Sequence, residues 1–131
     1  MALIDRFARA NIDGNSAMKA PQITKICGED IDPCAGVYVG ADDKFYMSNG
    51  AAANKAAHCD GFSPVRAKAG EALTIYGPGL IIKYSAGTLT PGDDYYLAAT
   101  KGRLDSAPTT GDTVGVVRAI DSAHLRVLRF K

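Results

Sequence analysis

The side chains best suited to covalent or metal chemistry in this 131-residue chain are two histidines, three cysteines and two pairs of adjacent aspartates. His58 stands beside Cys59 in "HCDG", and Cys27 and Cys34 bracket "CGEDIDPC" with six residues between them. A zinc site usually places paired cysteines about two to four residues apart, so this spacing does not read as a metal centre. Three cysteines also do not divide into disulfides, and they read as buried or unreactive thiols. His124, in "IDSAHL", belongs like His58 to no nucleophile elbow or metal-ligand motif. Asp42-Asp43 and Asp93-Asp94 are neighbours that would point to opposite faces of a strand, and aspartate is a favoured turn residue. Neither "GPG" nor "CGED" resembles a phosphate-binding glycine loop. No catalytic residue, metal ligand or cofactor is expected, and the chain does not read as an enzyme.

The elements that would carry these residues read as strands. With 131 residues, 47% hydrophobic and 22% charged, the chain is sized for one domain. Residues 1–33 read as an extended arm: "LIDRFARANI" predicts a short helix with Leu3, Ile4, Phe7 and Ile12 on one side, followed by a stretch without sustained period. Those apolar residues, with Ile23 and Ile26, predict that the arm docks on something. Residues 34–131 carry the punctuation of an all-β domain, a small β-barrel or β-sandwich. "AGVYVGADDKFYMSNG", "EALTIYGPGLIIKYSAG", "GDDYYLAATKGRLDSAP" and "DTVGVVRAIDSAHLRVLRF" each read as two strands around a turn, while "GAAANKAA" (50–57) reads as loop.

The domain also echoes itself. "VYVGADDKFYMSN" (37–49) superposes without a gap on "YYLAATKGRLDSA" (95–107), and "PVRAKAGEALTIY" (64–76) on "VVRAIDSAHLRVL" (116–128). Val65-Arg66-Ala67 falls on Val117-Arg118-Ala119, and Leu73 and Ile75 fall on Leu125 and Val127. A solenoid needs three or more repeats, so two copies predict a barrel of two similar halves. The closing "HLRVLRF" places Leu125, Val127 and Arg129 on one face and Arg126, Leu128 and Phe130 on the other, as barrel wall.

Charge narrows the partners. The net charge is +1, with residues 1–65 holding six Lys/Arg against eight Asp/Glu and residues 66–131 nine against six. A phosphate-neutralising protein shows a clear basic excess, so no direct nucleic-acid contact is expected. The cluster Arg118, Arg126, Arg129 and Lys131 reads instead as contacts to another protein subunit. No run approaches the roughly 18–20 apolar residues of a membrane span, and Asp5 and Arg6 interrupt the place where a signal peptide would be apolar. No membrane partner is expected, and synthesis in a cytoplasm is.

The segments "AGVYVGADDKFYMSNG", "GFSPVRAKAGEALTIYGPGLIIKYSAG", "LTPGDDYYL" and "GRLDSAPTTGDTVGVVRAI", with the final short basic strand, resemble the capsid decoration (cement) proteins of tailed bacteriophages. The resemblance spans about residues 34–131 and rests on the whole pattern rather than on one motif. It implies a non-enzymatic, β-barrel-like virion protein. Such a protein binds the exterior of an assembled head and clamps neighbouring copies of the major capsid protein after expansion. It also implies a homo-oligomer, a trimer before other arrangements, made in the host cytoplasm, with no catalytic residues to transfer. In that setting Leu3, Ile4, Phe7 and Ile12 are the expected arm anchors, and Arg126 and Arg129 the expected barrel contacts. Two other readings stay open. One is a tail, fibre or spike component of a virion. The other is a small ligand-binding barrel with Tyr38, Tyr46, Tyr76, Tyr84, Tyr95 and Tyr96 as stacking residues.

Overall fold

A computed structural model describes residues 3–131. In chain order the elements are β1 (Asn11–Ile12), α1 (Gly14–Ala17), β2 (Gln22–Ile26), β3 (Gly36–Val39), β4 (Phe45–Met47), a 3-10 turn (Lys55–Ala57), β5 (Gly61–Phe62), β6 (Ala72–Tyr76), β7 (Ile81–Lys83), β8 (Asp94–Leu97), β9 (Leu104–Asp105), β10 (Val117–Ala119) and β11 (His124–Val127). The all-β expectation holds. The strands form two antiparallel sheets, one of them a curled half-barrel, with the orders β2-β6-β5-β3-β4 and β1-β7-β11-β10-β8-β9. Alternation decides the faces: Leu73 and Ile75 of β6, and Leu125 and Val127 of β11, are buried, while Thr74 and Arg126 between them face outward.

Apart from β1, the two sheets repeat one order. Replacing β2, β3, β4, β5 and β6 by β7, β8, β9, β10 and β11 converts the first order into the last five strands of the second. The chain is thus a tandem of two five-stranded units, with a separate cluster of buried side chains inside the first unit (Ile31, Val37, Phe45, Leu73 and Ile75 among them). The second unit and its contact with the first share the larger cluster. The ungapped echo needs correcting at both joins. The β3–β4 hairpin closes with Gly40 N donating to Lys44 O, and the β8–β9 hairpin with Ala98 N donating to Arg103 O, one residue longer. A gap at that tip aligns buried Phe45 with buried Leu104, each opposite the equivalent residue of its partner strand, Val39 or Leu97. In the second pair, Phe62 faces Tyr76 whereas Val117 faces Val127. Aligning β5 with β10 therefore needs a two-residue shift that β6 and β11 do not.

Residues 3–12 do not form the expected helix. Ile4 N donates to Leu104 O (3.0 Å) and Phe7 N to Tyr84 O (2.8 Å), so this stretch runs extended between β9 and the end of β7. The Arg103 guanidinium adds a bond to Ile4 O (3.0 Å), and Ile12 pairs with Ile82. Backbone groups that a helix would satisfy locally are taken by distant strands, which outweighs a weak local propensity. In unit one the gap next to β4 is instead closed by Cys27, one residue beyond β2, which bridges Phe45. The loop expected at 50–57 holds the short 3-10 turn, capped by the Asn54 side chain accepting from Ala56 N at 3.0 Å.

Candidate interaction surface

The groups with chemical potential are dispersed and engaged in holding the fold. Cys27, Cys34 and Cys59 are free and buried. Burial pushes the Cys34 and Cys59 thiols up to about 12, and it raises Cys27 as well, with the Glu71 and Asp30 carboxylates adding to the shift. A thiol held protonated at neutral pH is a poor nucleophile and a poor metal ligand. The Cys59 thiol donates to Gly61 O at 3.4 Å. His58 ends the 3-10 turn, and its carbonyl accepts from Ser48 Oγ at 2.6 Å. Among the described residues no group of three or more metal-ligating side chains converges.

The aspartates behave as turn and cross-strand residues. Asp42 accepts the Tyr46 hydroxyl, which is the main reason its carboxyl lies below the usual range, and Lys44 N helps. Asp43, in the left-handed region at φ 67°, pairs with Lys25 at 2.5 Å. Asp94 pairs with Arg118, its register partner on β10, at 2.6 Å. His124 and Asp121 form a small dyad, Nδ1 lying 2.9 and 3.0 Å from the two carboxylate oxygens. Both are solvent-facing, and Asp121 also accepts Ala123 N and His124 N, so it serves as the brace of the β10–β11 turn. The tyrosines do not gather. Tyr84 and Tyr95 are buried, while Tyr38 and Tyr46 stack on the first hairpin with centroids 5.8 Å apart.

The expected contact residues are brought to different places. Ile4 and Ile12 are half-buried against the chain's own core. Phe7 is half-buried, with the Lys83 ammonium 5.2 Å from its ring centroid. Leu3 is 41% exposed and bridges Asp105. Arg126 is exposed on the outer face of β11, and Arg129 donates to Gly115 O. The arm therefore docks on its own domain, with Leu3 and Arg126 the more open of these residues.

A surface that the residue pattern did not single out lies at the start of β2. Pro21, Gln22, Ile23, Val39, Asp60 and Phe130 line an apolar groove with a cavity volume of about 190 Å³, above the roughly 150 Å³ that accommodates a benzene ring. Ile23 is 38% and Phe130 52% exposed. Phe130 is held over Gly77, where an added Cβ would come within 2.7 Å of its ring. The groove is the counterpart of a filled position in unit two. "APQITKIC" (20–27) aligns with "GPGLIIKY" (77–84), so Ile23 corresponds to Leu80, and Val39 corresponds to Leu97; Leu80 and Leu97 are both buried. Asp60 Oδ2 accepts Val39 N at 2.9 Å, just as Asp112 Oδ2 accepts Leu97 N at 3.0 Å. Extending the echo a few residues upstream, "CDG" over "GDT", is the signal that would have found this pair.

No protein-family model, curated protein or solved structure matches this chain.

Proposed function

We propose that this protein is a non-enzymatic capsid decoration protein of a tailed bacteriophage. It binds the exterior of an assembled head, stabilises contacts between major capsid protein subunits, and acts as a homo-oligomer, a trimer in the simplest arrangement. The observation that carries a binding role over a catalytic one is the contrast between two kinds of surface. The thiols are buried and protonated and the carboxylates brace turns, whereas Ile23, Val39 and Phe130 form an apolar groove open to solvent. A patch of that kind on a small domain suits protein–protein contact. The choice of a phage shell as the partner rests on the resemblance over residues 34–131.

The test is co-sedimentation of the purified protein with expanded, undecorated phage shells, with unexpanded shells as control. Saturable binding to the expanded lattice alone is expected. Binding to neither shell by a protein that is a stable oligomer in solution would replace this reading with a tail or fibre component.

A further inference from the structure

Unit two shows what occupies the flank of an edge strand in this architecture. Val127 N donates to Leu80 O and Tyr84 N to Ala123 O, so residues 80, 82 and 84 face β11 and Ile81 and Lys83 face away from it. The chain that precedes β2 takes those outward groups. Asp13 N donates to Ile81 O (2.7 Å), Ile81 N donates to Ser16 Oγ (2.8 Å), and Asn11 of β1 pairs with Lys83. Ala17 and Ala20 then pack into the same buried cluster as Leu80.

Unit one has the same edge without that cover. Cys27 N donates to Glu71 O and Gly77 N to Pro21 O, which turns the odd-numbered residues of β2 toward β6. The main-chain N–H and C=O of Gln22 and Thr24 are left on the open side. From Ile26 onward the edge is closed by the bridge between Cys27 and Phe45. Among the described residues none bonds the outward main chain of Gln22 or Thr24, and both residues are exposed. Thr24 is the counterpart of Ile81, and the apolar groove lies directly beside it. An uncovered edge next to an apolar groove is a ready receptor for another chain.

Charge indicates what docks there. Residues 21–79, containing unit one, hold five Lys/Arg against seven Asp/Glu, a net −2; residues 80–131 hold seven against five, a net +2. The groove itself carries the Asp60 carboxylate. On unit two, Arg126 and Lys19 stand exposed beside α1 and line one shallow pocket with a single carboxylate, Asp13; neither cation has an ion-pair partner among the described residues. We propose that the open edge of β2 and its groove seat a second copy of this chain, which presents the basic face of its unit two. This assigns a surface to the homo-oligomer part of the decoration reading and rests on that part alone. The contact joins unlike surfaces, so it must close into a ring or grow into a filament.

The experiment is sedimentation velocity of the free full chain, without shells, from micromolar to near-millimolar concentration. Failure of shell binding and failure of this contact are therefore read separately. The wild-type chain is expected to associate, and more weakly as salt is raised. Thr24→Pro removes an outward N–H, together with an exposed hydroxyl–hydroxyl bond to Thr74 (2.7 Å), at an edge position that tolerates proline, and should weaken association by about tenfold or more. Ile23→Lys should do the same from the groove side, and it serves if the proline variant does not fold by circular dichroism. Arg126→Glu, on β11 rather than on β2, should also weaken it. A wild-type chain that remains a single-copy species throughout, or association unchanged in Thr24→Pro and Ile23→Lys, overturns the proposal. Loss of association in those variants with full association in Arg126→Glu overturns the head-to-tail arrangement.

Discussion

Units one and two have one strand order and opposite surroundings. In unit two the residues at one end of the barrel, Leu80, Leu97 and Asp112, are buried beneath the preceding chain and the loops of unit one. Their counterparts Ile23, Val39 and Asp60 are only partly covered. A duplicated unit therefore need not duplicate its energetics: the same hydrogen bond or methyl group contributes according to how much water it excludes. The second unit buries these positions in the core, and the first leaves them lining an open groove.

The largest expected effect tests the two aspartates. Asp112 accepts from Leu97 N, Val114 N and Gly115 N with its side chain fully buried. Asp112→Ala strands those donors and should cost roughly 3 kcal/mol or more in urea unfolding. Asp60→Ala removes one half-exposed bond and should cost about 1 kcal/mol. Equal losses would mean that the two positions are energetically alike after all.

Next come the paired apolar residues. Leu80→Ala should cost about 2–5 kcal/mol, as for a buried leucine, whereas Ile23→Ala, at a site 38% exposed, should stay within about 1 kcal/mol. A thermal-melt comparison reads both. A large loss at Ile23 would show that the groove is part of the folding core.

The hairpin tips differ more subtly. Asp43 and Gly102 both adopt positive φ, 67° and 79°. At Gly102 an added Cβ would stand 2.5 Å from Met47 Sδ, because unit two's hairpin packs beneath unit one. Gly102→Asp should lower stability by roughly 1–3 kcal/mol. Asp43→Gly, which relieves backbone strain while losing an exposed ion pair with Lys25, should change it by less than about 1 kcal/mol.

The last comparison is alkaline. Cys34 and Cys59, raised from 9.0 to about 12 by burial, are neutral in the fold and ionise more readily when unfolded. Their contribution is fully present below pH 9 and is lost as pH rises from there toward 12. Unfolding midpoints measured between pH 8 and 10.5 should fall above pH 9, and less so in Cys34→Ala/Cys59→Ala. Identical pH profiles for the two proteins would remove the thiols from this account.

Much of this architecture was legible. The alternation in "ALTIY" and "HLRV", the turn residues around Gly102 and the repeated Val-Arg-Ala all follow from period and punctuation acting within a few residues. The second echo, "APQITKIC" over "GPGLIIKY", was also present in the letters, but Gln22, Thr24 and Lys25 interrupt its apolar run and hide the kinship with β7. The path of residues 3–12 was not legible. Leu3, Ile4, Phe7 and Ile12 suit a short helix face, and nothing local reveals that Leu104 O and Tyr84 O are waiting for Ile4 N and Phe7 N.

The sequence by itself determined which residues alternate, where the chain turns, that residues 34–131 read as β and that two segments of them recur, because those are local properties of side-chain period and backbone preference. Tertiary structure alone decided that the arm seals unit two, that Asp112 is buried while Asp60 is not, and that an edge and a groove remain open on unit one. Those outcomes depend on which distant segment excludes water from which surface, a quantity no short window of residues contains.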